Sequence, residues 1–273
     1  MTIRQLVKPS GPRRVYCFAK RYITPRLLRI TVSGDKLLGF PSDSAGAHIK
    51  LFFANCQSGN LQLPTRDEQG KIHWPEDKPV TRAYTVRAYR TEQNELDIDF
   101  VVHGDSSPAS GWAVNAEIGA ELGVAGPGGP NPLLAAADWQ LLASDLTAVP
   151  AISALLQQMS DAQHAEVFIE VDSLDDRHEL AHPCNVTVHW LTRIHGDHQQ
   201  LARALATAKP PATATSVSVF VAGENSAVLA CRKQLIGDFG LTKKRLYAIP
   251  YWRRGQDEER YHDQRHEIMD EVY

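Results

Sequence analysis

Two rhythms of hydrophobic and polar positions run along this chain, and one gives way to the other near residue 130. From Val15 to about Val124, short runs rich in β-branched and aromatic residues are broken by Pro, Gly, Asn and Asp. They include LLRITVSG from Leu27, HIKLFFAN from His48, RAYTVRAY from Arg82 and ELDIDFVVHG from Glu95. Short strands at this spacing predict an antiparallel sandwich or barrel. The polar stretch 57–79 shows no period and predicts a long loop within it. After GVAGPGGPNP (Gly123 to Pro132), β-runs alternate with helical stretches. WQLLASD, AEVFIEVDS, VTVHWLTR, VSVFVAGE and KRLYAIPYW read as strands, and AVPAISALLQQM, HQQLARALATA and NSAVLACRKQLIGDF as helices. This alternation predicts a parallel sheet with crossover helices.

The expected fold class is therefore a β-barrel plus α/β architecture. An antiparallel barrel over 1–132 precedes a parallel-sheet, nucleotide-binding-type domain over 133–254. The charged tail, 255–273, reads as a solvated terminal helix or frayed extension. A length of 273 residues supports two domains with full cores. The net charge of −3 provides no basic field for nucleic acid. No signal-peptide run or membrane span is visible, so a cytoplasmic location is expected. Cys17, Cys56, Cys184 and Cys231 have neither metal-ligand nor redox spacing and read as scattered, mostly buried thiols.

Four segments carry candidate chemistry. His178-Glu179-Leu180-Ala181-His182 matches the H-E-x-x-H zinc pattern. Pro183 follows directly and pushes His182 out of the helical region, so a chance match with no metal is expected. His262 and His266 share i,i+4 spacing in the tail, where a solvated face is the expectation. In Thr81–Arg87, Arg82 and Tyr84 share a strand face, so an arginine that grips phosphate lies beside a ring that packs on a flat ligand. Thr85 adds a hydrogen-bond donor. In the fourth, His103-Gly104-Asp105-Ser106-Ser107-Pro108-Ala109-Ser110-Gly111-Trp112-Ala113, small residues open a short helix whose free amides suit an anion.

In the second half, LLASDLTAVPAI lacks the G-x-G-x-x-G fingerprint, yet Asp145 and Thr147 fall at the carboxyl end of the first strand, where nucleotides bind such sheets. Glu170 and Asp172 end the next strand. Asp172 either meets a ribose hydroxyl, favouring NADH over NADPH, or caps the following turn. Arg177 could offset it by meeting a 2′-phosphate.

Together, HIKL, RAYTVR, HGDSSPASGWA, Gly126-Pro127, SDLTAVPAI, AGE (Ala222 to Glu224) and YWRRG (Tyr251 to Gly255) resemble the siderophore-interacting protein family, over most of the chain. These are FAD-containing ferric-siderophore reductases of the ferredoxin-reductase-like superfamily. The resemblance implies electron transfer from NADH, NADPH or a ferredoxin through FAD to a ferric siderophore, with Fe(II) released. The alternatives are a siderophore-binding protein with little turnover or a different flavin-dependent reductase. It implies that Arg82 grips the FAD phosphates, Tyr84 lies along the isoalloxazine and Thr85 faces its reactive edge, with Val86 beside them. Tyr84 and Thr85 are thus the catalytic candidates. His103, Ala109, Ser110 and Trp112 are implied to hold the rest of FAD. Lys50, Arg253 and Arg254 are implied to receive the anionic siderophore. Gly128 stands where the family often has Arg, and Ser107 where it usually has Gly. A monomer is expected.

Overall fold

In the computed structural model the chain forms two compact units, residues 1–129 and 130–273. The residues described are 11–105, 107–183, 185–239, 241, 245–256 and 261. The expectations for Ser106, Cys184, His262, His266 and most of the charged tail lie outside them. Among the described residues, no helix is long and apolar enough to cross a membrane.

The first unit comprises β1 (Arg13–Thr24), β2 (Leu27–Ser33), β3 (His48–Phe53), β4 (Thr65–Arg66), β5 (Ile72–His73), β6 (Val80–Thr85), β7 (Ala88–Arg90), β8 (Glu95–Val101), α1 (Pro108–Asn115) and β9 (Glu121–Gly128). Seven strands make one antiparallel sheet in the order β6-β3-β9-β1-β2-β8-β7. The loop 57–79 is irregular, as its polarity predicts, apart from the small β4–β5 hairpin. The first half of the Gly/Pro-rich stretch belongs to the strand β9, between β3 and β1. A Cβ at Gly123 would lie 2.9 Å from Phe52 Cβ and overlap Leu63. The neighbouring side chains fill that space, which explains a strand without a β-branched pattern.

Strand alternation sorts β8 cleanly. Leu96, Ile98 and Phe100 enter a core with Val15, Ile30, Ile49, Leu51 and Val124. Asp97 and Asp99 take the opposite face. Arg29 grips Asp99 through two bonds of 2.6 and 2.8 Å. Arg90 grips Asp97 at 2.6 and 2.8 Å, and the Thr31 hydroxyl donates to Asp97 at 2.7 Å. Burial opposes ionisation of Asp97, but these bonds and the fields of Arg90 and Arg29 outweigh it and hold its carboxyl below the usual carboxylate range. Its stabilisation is therefore present above the unfolded value of about 3.9 and lost as pH falls through the folded one. Asp97→Asn is expected to cost about 2 kcal/mol near neutrality, with the deficit shrinking below about pH 4. Urea titrations of both proteins across that range check it; a pH-independent deficit would contradict it.

The second unit comprises β10 (Trp139–Asp145), α2 (Val149–Gln158), β11 (His164–Val171), β12 (Val186–Thr192), α3 (Gln200–Leu205), β13 (Val217–Glu224), α4 (Asn225–Phe239) and β14 (Leu246–Trp252). The sheet is wholly parallel, in the order β12-β11-β10-β13-β14. All five predicted strands form, and their central members are buried on both faces, as near-continuous apolar runs require. Trp139, Leu141, Ala143, Val219 and Val221 pack with Leu201, Leu205, Val228 and Leu235 from α3 and α4. Burial pushes the Cys231 thiol in this layer up to about 12, with Glu170 adding to the effect. Cys17 is also buried and Cys56 exposed. The predicted helix from His198 shortens to α3. The chain runs outward from β10 to β12, then returns to the other side of β10 at β13. The carboxyl ends of β10 and β13 are thus the point where strand order reverses.

Candidate functional site

Strand β6 is a sheet edge, paired with β3 among the described residues. The register sets Thr85 opposite His48, Tyr84 opposite Ile49, and Arg82 opposite Leu51. Alternation puts Arg82 and Tyr84 on one face and Thr85, nearly buried, on the other. The Arg82 guanidinium donates to the Thr81 carbonyl at 2.8 Å. Tyr84 rests on Phe100, centroids 4.5 Å apart. Phe100 in turn meets Trp112 of α1 at 5.8 Å, and Trp112 meets Phe53 at 5.7 Å. One aromatic run therefore joins the two motifs that are separate in sequence. Val86 is wholly buried; its N–H donates to Ala47 O and its carbonyl accepts from Gly46 N–H, so it anchors the end of β6 from within the core.

The second motif folds as a loop returning onto its own helix. Gly104 has φ +105°. The buried Ser110 hydroxyl donates to Gly104 O at 2.5 Å and accepts from His103 N–H at 3.2 Å. Gly111 N–H donates to Ser107 O at 2.7 Å. A Cβ on Gly111 would overlap the Asp105 carbonyl oxygen and lie 3.1 Å from its carbon. Ser110 and Gly111 thereby shape the loop, while His103 stays exposed at its mouth. Ser107 is the N-cap residue of α1 but makes no side-chain capping bond. Its hydroxyl is buried without a hydrogen-bond partner among the described residues. An uncapped helix start with an orphaned hydroxyl lacks an acceptor, which a phosphate oxygen would supply. With a half-buried tyrosine ring on the same aromatic run, these residues fit a flavin dinucleotide.

In the second unit, the order reversal between β10 and β13 is closed by side chains. Asp145 Oδ1 accepts from Thr147 N–H at 2.9 Å and its hydroxyl at 2.5 Å; Oδ2 accepts from Glu224 N–H at 2.9 Å and Trp252 Nε1–H at 2.7 Å. Gly223, at φ +135°, leaves room: a Cβ there would lie 2.7 Å from Asp145 Oδ2. Asp145 and Thr147, expected as nucleotide contacts, are engaged in tying β10, β13 and β14 together. Arg193, just past β12, bonds Glu170 at 2.9 Å and Asp172 at 2.7 Å and lies 4.0 Å from Asp145. Burial pushes the Glu170 carboxyl up despite the bond from Arg193. Ser173, not Asp172, caps the following turn, and Arg177 is exposed. Glu224 accepts from Ser226 N–H at the start of α4 and from Arg254 N–H.

The sequence reading missed Arg193, Glu224 and Trp252. The signal available was positional: each ends or directly follows a strand of one parallel sheet. Lys50 lies on β3 opposite Ala83 and Ala125. Arg253 is half-buried, whereas Arg254 is exposed with its guanidinium 5.9 Å from the Trp252 ring centre. Tyr261 is buried, its hydroxyl donating to Asn225 at 2.9 Å, so at this position the tail is not solvated. His178–His182 is irregular rather than helical, so its histidines lack the i,i+4 arrangement a zinc pair needs; His178 lies against Trp190, centroids 5.3 Å apart.

Residues 17–131 match the family model described as a siderophore-interacting FAD-binding domain, and residues 137–255 the model described as siderophore-interacting protein. The chain is 51% identical over 263 residues to the ferric vibriobactin reductase ViuB of Vibrio cholerae, covering 96% of this chain and 97% of that one. It is 32% identical to an NADPH-dependent ferric-chelate reductase of Escherichia coli, covering 82% and 86%. The crystal structure of the siderophore-interacting protein SipS from Aeromonas hydrophila superposes with a TM-score of 0.84 at 31% identity, covering 96% and 99%.

Proposed function

The chain belongs to the siderophore-interacting protein family, and from that premise we propose that it is an FAD-dependent reductase of ferric siderophores. The observation that carries this reading is the aromatic run Tyr84–Phe100–Trp112, which packs the β6 motif and α1 together through the buried Phe100. Bound there, FAD would link a two-electron hydride donor to one-electron ferric acceptors.

The residues have distinct tasks. Tyr84 offers its ring, held in place by Phe100, and Arg82 pairs with a phosphate. Thr85 ends β6 next to Tyr84, and Val86 anchors that end from within the core. The α1 amides at Ala109 and Ser110, with the Ser107 hydroxyl, receive the pyrophosphate, while Ser110 also sets the loop that carries His103. Trp112 buttresses the aromatic run. On the first unit, Lys50 attracts an anionic chelate. Fe(III) is the harder cation and prefers hard oxygen ligands, so its reduction loosens the chelate.

The donor follows from charge. Asp145, Glu170, Asp172 and Glu224 lie at the ends of three adjacent strands, and Arg193 is already paired with three of them. A 2′-phosphate entering there meets like charge, so NADH is the preferred donor. The expected kcat/KM ratio for NADH over NADPH is roughly tenfold, or ~1.4 kcal/mol. Anaerobic turnover of FAD-loaded protein with a ferric chelate and a ferrous trap tests both statements. Two Fe(II) per NADH oxidised, with one proton released, are expected. A flavin band that a donor bleaches and the chelate leaves bleached overturns the reductase reading. Equal use of NADPH, or turnover only with reduced ferredoxin, overturns the donor assignment alone.

A further inference from the structure

His48 opens β3 between two partners: Thr85 on β6 and Gly128 on β9. Its side chain lies against the end of β9. A Cβ on Gly128 would lie 2.7 Å from His48 Nε2 and 3.0 Å from Cε1; one on Gly129 would lie 3.0 Å from Nδ1. The imidazole thus occupies the volume from which a side chain at 128 would project, and the two are mutually exclusive without a shift of the ring. His48 is nevertheless exposed. Lys50 follows at i+2, on the same face of β3, and its cross-strand partners are both alanines, Ala83 and Ala125. An imidazole and an ammonium therefore share one strand face, with no long side chain directly opposite the lysine. Thr85, opposite the imidazole, is the last residue of the β6 motif.

We propose that His48, whose imidazole takes the volume that a side chain at 128 would fill, is a substrate-contacting, specificity-determining residue, which with Lys50 recognises an anionic ferric catecholate. The inference rests on the reductase reading for its substrate. Its physical basis is charge. A ferric tris-catecholate is triply negative and rimmed with oxygen acceptors, whereas a ferric tris-hydroxamate is neutral. An imidazole N–H and an ammonium reward the first far more than the second.

The test uses full-length FAD-loaded protein and two chelate classes, a tris-catecholate and a tris-hydroxamate. His48→Ala is expected to raise KM for the ferric catecholate about tenfold, the effect of losing one hydrogen bond to a charged acceptor. Its kcat should stay within about twofold of wild type, as should KM for the hydroxamate, since uniform binding to one chelate is what was removed. Gly128→Arg alone displaces the ring and weakens catecholate use; His48→Ala/Gly128→Arg, where the arginine gains the vacated volume, restores it. Binding of the redox-inert gallium(III) catecholate, followed by tryptophan fluorescence, gives a readout independent of turnover, with the same tenfold loss expected in His48→Ala. If that variant loses FAD, His48→Gln takes its place in both assays.

An unchanged catecholate KM and gallium-chelate affinity, an equal loss for both chelate classes, or strictly additive effects of the two substitutions overturns the proposal. Gallium-chelate binding that depends on His48 in a protein that does not reduce iron supports the His48 assignment and overturns the reductase reading.

Discussion

Gly111→Ala is expected to yield a folded protein that no longer retains FAD, its dissociation constant raised about a hundredfold, or ~2.7 kcal/mol. Two effects oppose each other at this position. In a free helix the change would stabilise α1 by about 1 kcal/mol, because alanine exceeds glycine in helix propensity. In this fold the new methyl overlaps the Asp105 carbonyl oxygen, a backbone atom that no rotamer change can move aside. The loop must lift from the helix, which breaks the bond from Gly111 N–H to Ser107 O and the two bonds of Ser110. Core residues elsewhere in the first unit keep their contacts, so far-UV circular dichroism should be preserved. Flavin fluorescence titration measures the binding. Wild-type affinity in the variant would show that this loop does not hold the cofactor.

The second large effect is expected in the other unit. Arg193→Leu should destabilise it by about 3–5 kcal/mol near pH 7, because removing one partner strands buried carboxylates. The side chains of Glu170 and Asp145 are only 8% and 5% exposed, too little for water to replace the guanidinium. The loss should itself depend on pH, and its sign follows from Glu170. Burial raises the folded value of this carboxyl above its unfolded one, even with Arg193 present. The cost of holding it charged is therefore absent below the unfolded value and appears as pH rises through the folded one. Without Arg193 the folded value climbs further, so the variant should recover much of its deficit by about pH 5. Urea unfolding of wild type and variant at both pH values measures this. A deficit that is small, or equal at the two, would mean that Arg193 does not neutralise Glu170.

Both substitutions touch features that sequence alone renders only in part. The order Arg82-Ala83-Tyr84-Thr85, then His103 to Ala113, then a strand–helix alternation, was legible because each is local: period two on β6 and β8, small residues at a helix start, apolar runs in a parallel sheet. Strand β9 was hidden because its glycines reflect what lies beside them in space. At Gly123 the determining atoms belong to Phe52 and Leu63, some seventy and sixty residues away in sequence. Asp145 was correctly placed at the end of its strand, yet position could not reveal that Glu224 and Trp252 donate to its carboxylate from two other strands. The pairing of Asp172 with Arg193 rather than with a turn was equally out of reach, since both readings suit an acid after a strand.

By itself, the sequence determined the two-unit plan, the strand faces and the residue types at the two candidate motifs, because periodicity and turn chemistry act over a few neighbours. Only the tertiary structure decided which polar groups remain available. It turned Ser110, Asp145 and Thr147 inward to shape loops and strand ends, and left the Ser107 hydroxyl without a partner among the described residues. It also set His48 in the space above Gly128. The reason is that hydrogen-bond satisfaction and excluded volume depend on distances across the fold, which strand pairing sets and local pattern does not.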